Sequence, residues 1–352
     1  MSKFITKKYD SLKEYTPGEQ PQDKKYIKLN TNESPFPPSD IVVECVNKDA
    51  VKNLKLYSDP ESKVLKEELA KTYGVEKENV FVSNGSDEIL NFAFMAYGEN
   101  GAAFNDITYG FYKVFADLYN IQATIIPLND DFTVPYEKFL NLNKFIVIAN
   151  PNAPTGMSLG LNCLEEIIKS NPQNIVLIDE AYVDFGGTTV LPLLENYDNL
   201  LIVRTYSKSR SMAGARLGYA FASKEIIKDL EKIKYSTNPY NVNRLTQIAG
   251  VASLMDNEYY INNCKTIIAN RECTVKELEL LGFEVLPSDA NFIFAKHNKI
   301  SGEKLYIRLK DKGILVRHFT SERIKDFNRI TIGTLEEMYA LVKAVSEILE
   351  EK

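Results

Sequence analysis

Four polar clusters in this chain each follow a short apolar run, and each holds residue types able to do chemistry. SNGSDE follows NVFVS and carries Gly85, Ser86 and Asp87. A helix opening there would point backbone N–H groups, and the positive end of its dipole, at an anion such as phosphate. ANPNAPTG follows KFIVI, and its two prolines and glycine stiffen a loop that presents Asn152. IDEAY completes NIVL, so Asp179 closes an apolar run with Glu180 and Tyr182 behind it. A carboxylate so placed needs a partner or a cation, because an unpaired buried charge is costly. RTYSKSRSMAGARLGY follows NLLIV and places Thr205, Ser207, Lys208, Arg210 and Arg216 in a loop between two apolar runs. Each cluster by itself also suits a plain structural role: a capped helix start, a rigid turn, an ion pair, a surface loop.

The elements that would position these clusters are legible. The runs GAAF, ATIIP, KFIVIAN, NIVLIDE and NLLIVRT alternate with helix-like segments such as FYKVFADLYN and LNCLEEIIKS. Short Ile/Val/Leu runs between helices predict an α/β core of buried, mostly parallel strands. Ligands of such sheets lie beyond the carboxyl ends of the strands, where the four clusters fall. Upstream, Ser39 or Asp40 is expected to cap a helix after TNESPFPPSD. In YSDPESKVLKEELAKTYG, Asp59 is expected to cap, Pro60 to take the first helical position and Gly74 to end the helix. After residue 255 the texture changes to a long helix, roughly Asn257 to Leu281. FEVLPS, NFIFAK, a helix near Gly302–Lys310, GILVRHF, NRITIGT and a final helix Leu335–Glu350 follow. The expected division is an arm (1–30), a large domain (31–255) and a smaller α+β domain (256–352).

Composition excludes several function classes. The chain has 352 residues, Lys+Arg 42 and Asp+Glu 48, for a net charge of −6. That balance argues against a nucleic-acid surface or a polybasic membrane patch. Cys45, Cys163, Cys264 and Cys273 are scattered, and His297 and His318 are the only histidines, so no metal cluster is expected. MSKFITKKYDSLKEY lacks the apolar stretch of a signal peptide, and no apolar run reaches the ~20 residues of a membrane span. A cytoplasmic location is expected. The glycine fingerprints of dinucleotide and P-loop sites, Gly-x-Ser-x-Gly and His-Glu-x-x-His are all missing.

Asn-Pro-Asn-x-Pro-Thr-Gly, Asp-Glu-Ala-Tyr, and Ser-Lys with Ala-Gly-x-Arg-x-Gly together resemble the fold-type-I pyridoxal-phosphate aminotransferases. More narrowly, the chain is similar to the histidinol-phosphate aminotransferase family. The likeness runs from Tyr15–Gly18 and Asn32–Pro35 to Arg329–Thr334. It implies a large domain with a mostly parallel mixed sheet flanked by helices, and a smaller α+β domain.

The implied cofactor is pyridoxal 5'-phosphate, with Lys208 forming its Schiff base and Asp179 pairing with the pyridine nitrogen. Asn152 and Tyr182 would hydrogen-bond the ring's phenolic oxygen, and Tyr109 would stack on the ring. Gly85, Ser86, Asp87, Ser207 and Arg216 would hold the phosphate, with Thr205 a lesser contributor. Tyr57 would reach the phosphate of a neighbouring subunit, which implies a homodimer. Arg317 and Arg329 would bind the anionic end of the substrate, in a pocket lined also by Tyr15, Asn32 and Asn291.

The implied reaction exchanges an amino group between histidinol phosphate and 2-oxoglutarate, in histidine biosynthesis. Alternatives are an aminotransferase for another phosphorylated or aromatic substrate, and a threonine-phosphate-type decarboxylase. A non-catalytic cofactor-binding protein is the reading from another class. One departure stands out: Ser209, Arg210 and Ser211 follow the lysine where the family pattern has small or apolar residues. Arg210 is expected either to face solvent or to add positive potential to the pocket.

Overall fold

The computed structural model describes residues 2–6, 9 and 12–351. The first strand, β1 (Ile27–Lys28), lies outside the main sheet. Seven strands then form that sheet: β2 (Val80–Ser83), β3 (Ala102–Asn105), β4 (Ala123–Ile126), β5 (Phe145–Ala149), β6 (Val176–Asp179), β7 (Leu200–Thr205) and β8 (Gly218–Ala222). Their order is β2-β8-β7-β6-β5-β3-β4. From β7 to β4 every pair is parallel, while β8 runs antiparallel to both β7 and β2. β5, β6 and β7 are buried along their whole length, which is why they read as continuous apolar runs until the polar residues at the ends of β6 and β7.

Alternation along the strands feeds two cores. Ile146, Ile148, Val176, Ile178 and Ile202 face one side, against α1 (Asp40–Cys45), α3 (Lys63–Tyr73), α6 (Leu161–Ser170) and α8 (Arg244–Met255). Phe81, Val147, Leu177 and Leu201 face the other, against α4 (Ser86–Tyr97), α5 (Phe111–Tyr119) and α7 (Lys224–Thr237). The short α2 (Lys48–Lys52) follows α1.

A third core lies beneath β9 (Phe283–Val285), β10 (Phe292–His297), β12 (Arg317–His318) and β13 (Phe327–Thr331), an antiparallel sheet in the order β12-β13-β10-β9. Helices α9 (Asn257–Leu280), α10 (Gly302–Asp311) and α11 (Leu335–Glu350) pack on it. β1 pairs in parallel with β11 (Ile314–Leu315), placing Ile27 opposite Ile314, and Leu29 is buried in this same core.

Three local expectations are revised. α3 begins at Lys63, not Pro60, because the Asp59 carboxylate accepts from the backbone N–H groups of Glu61 and Lys63 and closes a turn ahead of the helix. Gly74 does end it, in the left-handed conformation. Ser39 precedes α1 without a side-chain capping bond. GILVRHF is two strands, β11 and β12, because its halves pair with different partners, β1 and β13. No helix among the described residues is long and apolar enough to cross a membrane, and no group of metal-ligating side chains occurs among them.

Candidate active site

Register places the polar clusters level with one another. Asp179, the last residue of β6, lies opposite Ala149 of β5 and Val203 of β7. Its carboxylate is buried, accepting from the Tyr112 hydroxyl at 2.7 Å and from the Ala181 N–H at 3.1 Å. Both donors are neutral, and no ion pair to Asp179 occurs among the described residues. Burial raises its pKa to about 6, against the pull of those two hydrogen bonds.

Lys208 stands in the loop after β7. Its Nζ donates to the Thr31 carbonyl at 3.2 Å and lies 5.6 Å from the centre of the Tyr182 ring. Arg210 faces neither solvent nor pocket, contrary to both expectations. It is buried behind the loop, donating to the Ser253 carbonyl (3.0 Å) and to Asn257 Oδ1 (2.6 Å) beside the rings of Tyr206 and Tyr260. Ser211, at φ 56°, donates to the Ser34 hydroxyl.

At the start of α4, Gly85 has φ 77°, and a Cβ there would lie 2.6 Å from Arg216 Nη2. A Cβ on Gly218 would lie 2.4 Å from the Gly85 carbonyl carbon and the Ser86 nitrogen. These two glycines let the helix start, β8 and the Arg216 guanidinium converge. Arg216 donates to Asp87 Oδ2 (3.1 Å) and to Ser207 Oγ (3.4 Å), and the Ser207 N–H donates to Thr205 Oγ1 (3.1 Å). The other Asp87 oxygen accepts from the Tyr109 hydroxyl at 2.8 Å. Burial first, and then Asp87, raise the Tyr109 pKa.

These groups enclose a cavity of about 110 Å³, lined by Ser86, Asp87, Asp179, Thr205, Ser207 and Arg216. Tyr109, Tyr182 and Lys208 border it and also a wider cavity of about 1110 Å³, into which Tyr15, Asn32, Arg317 and Arg329 project. Asn32, at φ 55°, donates from Nδ2 to the Tyr182 hydroxyl oxygen at 3.0 Å and is held by Thr331. Arg329 donates to the Asn30 carbonyl, and its guanidinium lies over Phe292 and Phe319. Burial lowers its pKa. Arg317 donates to the carbonyls of Thr16 and Pro17 at 2.8 and 2.9 Å, drawing the arm over the cavity.

Four expected residues stand apart. The Asn152 carboxamide turns away, donating to the Ile107 carbonyl and Thr155 Oγ1 and accepting from Thr108, and Ala153 lines both cavities instead. Asn291 is buried behind Asn32, donating to its carbonyl at 3.1 Å. Gly85 shapes the helix start without lining either cavity. Tyr57 is 77% exposed, stacked on Tyr240 at 4.5 Å, and borders neither cavity. Two contributors escaped the sequence reading: Tyr112 and the Thr31 carbonyl. Tyr112 lies three residues beyond Tyr109, a spacing that puts both on one face of a helical turn and could have signalled it.

The model of the family described as aminotransferase class I and II matches residues 24–345. A histidinol-phosphate aminotransferase from Marinomonas sp. is 50% identical over 353 residues, covering 99% of this chain and all of the relative. One from Brachyspira hyodysenteriae is 49% identical over the same extent. The crystal structure of histidinol-phosphate aminotransferase from Sinorhizobium meliloti in complex with pyridoxal-5'-phosphate superposes with a TM-score of 0.88, covering 99% of this chain and 98% of that one. At 24% identity that likeness speaks to the fold alone. With a family model spanning most of its length and relatives of one name matching about half its residues from end to end, this chain belongs to the class I and II aminotransferases, in the histidinol-phosphate aminotransferase family.

Proposed function

We propose that this chain is a pyridoxal-phosphate-dependent aminotransferase that exchanges an amino group between histidinol phosphate and 2-oxoglutarate, a step of histidine biosynthesis. The observation that carries this reading is the convergence of Lys208, Asp179 and Arg216 on one small cavity. The donor set suits the cofactor. Asp179 is a buried carboxylate with neutral hydrogen-bond donors, so a cationic ring nitrogen would supply what its surroundings lack. The start of α4, Ser207 and Arg216 are the donors a phosphate group takes.

Bound there, pyridoxal phosphate supplies an electron sink for the charge that develops at the substrate α-carbon. The protein's own groups do the rest. Lys208 Nζ moves the proton at that carbon, work of the kind that contributes about 10²–10⁴-fold. Asp179, on the wall of the small cavity, would hold the positive charge of the ring nitrogen. The Asn32–Tyr182 bond uses the Tyr182 oxygen as acceptor, which leaves the hydroxyl hydrogen free to point into the site. Arg317, Arg329 and Tyr15 orient the anionic end of the substrate and the second keto acid in the wider cavity. The exposed Tyr57 suits a homodimer in which it meets a second copy, and four free thiols suit a reducing cytoplasm.

Borohydride reduction after loading with pyridoxal phosphate, followed by peptide mass mapping, tests the assignment. The expected adduct is on Lys208, and Lys208→Ala is expected to lose both the adduct and glutamate production from histidinol phosphate and 2-oxoglutarate. An adduct elsewhere, or release of carbon dioxide without glutamate, overturns it.

A further inference from the structure

Lys208 and Asp179 reach their cavity from different strands, yet their sequence neighbours are joined behind it. Glu180, next to Asp179, is buried, and its Oε2 accepts from Arg204 Nη2 at 2.8 Å and Nε at 2.9 Å. Thr189 donates to the same oxygen while accepting from Arg204, and the Val190 N–H donates to Oε1 at 2.7 Å. Arg204 continues from Nη1 to Asp184 Oδ1 at 3.8 Å. Asp184 Oδ2 accepts from the Ser209 hydroxyl at 2.5 Å, and Ser209 is the residue after Lys208. Two peptide bonds and three polar contacts therefore run without a break along 179–180–204–184–209–208, from the acid to the lysine.

Apolar side chains of similar volume in place of the buried Glu180–Arg204 pair would often stabilise this interior as well or better, since buried ion pairs seldom repay their desolvation. What the polar path adds is a directional link between its two ends. Arg210 and Ser211 tie the loop of Lys208 to α8, α9 and Ser34, whereas Ser209 is the residue that ties it toward Glu180 and Asp179.

We propose that Asp184 and Ser209 are positioning residues: through Arg204 and Glu180 they set the placement of the Lys208 amine relative to the Asp179 carboxylate. This rests on the roles given to Lys208 and Asp179 above. Neither Asp184 nor Ser209 lines the cavities, so their effect reaches the chemistry only through the lysine and the acid that they link.

The test uses the full chain loaded with pyridoxal phosphate, as Ser209→Ala, Asp184→Ala and the double variant. Each single change is expected to lower kcat about tenfold with KM within about twofold, the pattern of misplacement rather than lost binding. Each is also expected to shift the pH midpoint of the bound cofactor's absorbance. The double variant is expected to lose no more than the worse single, because both remove one contact. Ser209→Thr, which keeps the hydroxyl, is expected to restore the wild-type midpoint. A Ser209→Ala protein that melts like wild type and keeps its kcat and pH midpoint overturns the proposal, whatever becomes of the Asp184 variant. If the wild-type borohydride adduct maps to Lys208, such a result sinks only the positioning role of Ser209 and Asp184. If it maps elsewhere, the assignment of Lys208 itself has failed.

Discussion

Tyr112, buried in α5, donates its hydroxyl hydrogen to the Asp179 carboxylate across 2.7 Å. This bond favours the ionised acid, so Tyr112→Phe is expected to raise the Asp179 pKa further above about 6. A hydrogen bond to a charged group contributes about 1.5–3 kcal/mol, so the variant is expected to lose that much stability at pH 8 and less at pH 5. Urea unfolding of cofactor-free protein at the two pH values measures this, and equal losses at both would contradict it.

The raised pKa of Asp179 itself makes stability depend on pH. The folded protein holds this proton more tightly than the unfolded chain does. The stabilisation is therefore complete below about pH 4 and is lost as pH rises through about 6. At about 1.4 kcal/mol per pKa unit the loss is roughly 3 kcal/mol. Asp179→Asn is expected to remove it, so the stability difference between wild type and variant in cofactor-free protein should change by most of that amount between pH 4 and 7. A constant difference would exclude a raised pKa.

Arg210 is held by α8 and α9 rather than by the pocket. Arg210→Leu is expected to cost about 2–3 kcal/mol of stability through its lost charged hydrogen bonds. The ratio of kcat/KM for phosphorylated over unphosphorylated amines should stay unchanged. A shifted ratio would return this arginine to the substrate site.

Gly218 leaves no room for a side chain against Gly85 and Ser86. Gly218→Ala is expected to displace the start of α4 at a cost of about 1–3 kcal/mol. Pyridoxal phosphate should then bind more weakly, while pyridoxal, which lacks the phosphate, should lose less. Equilibrium dialysis with both compounds checks it, and equal losses would separate this corner from phosphate binding.

The sequence was most legible where local signals coincide. α11 runs Leu335–Glu350 as expected because Thr334 and Glu337 form a reciprocal cap ahead of a periodic apolar face. β5, β6 and β7 announce themselves by burial on both faces. GILVRHF divides because two distant segments, β1 and β13, claim its halves, and no local pattern records that. The same holds within the site. Residue type and strand position marked Lys208, Asp179 and Arg216, but the direction of the Asn152 carboxamide depends on Thr108 and Ile107, more than forty residues earlier. Tyr112 and Asp184 act through partners that only the sheet order brings near.

The pairing of β1 with β11 has a consequence for synthesis. Ile27 and Lys28 leave the ribosome long before Ile314 and Leu315. Until β11 emerges, the segment bearing Tyr15 and Asn32 lacks that strand to dock on, whereas every strand of the seven-stranded sheet, through β8, has been made before it. The nascent polypeptide thus completes the wall of its wider cavity after its main sheet, and a product released before β11 is made would carry Lys208 without the arm fastened above it.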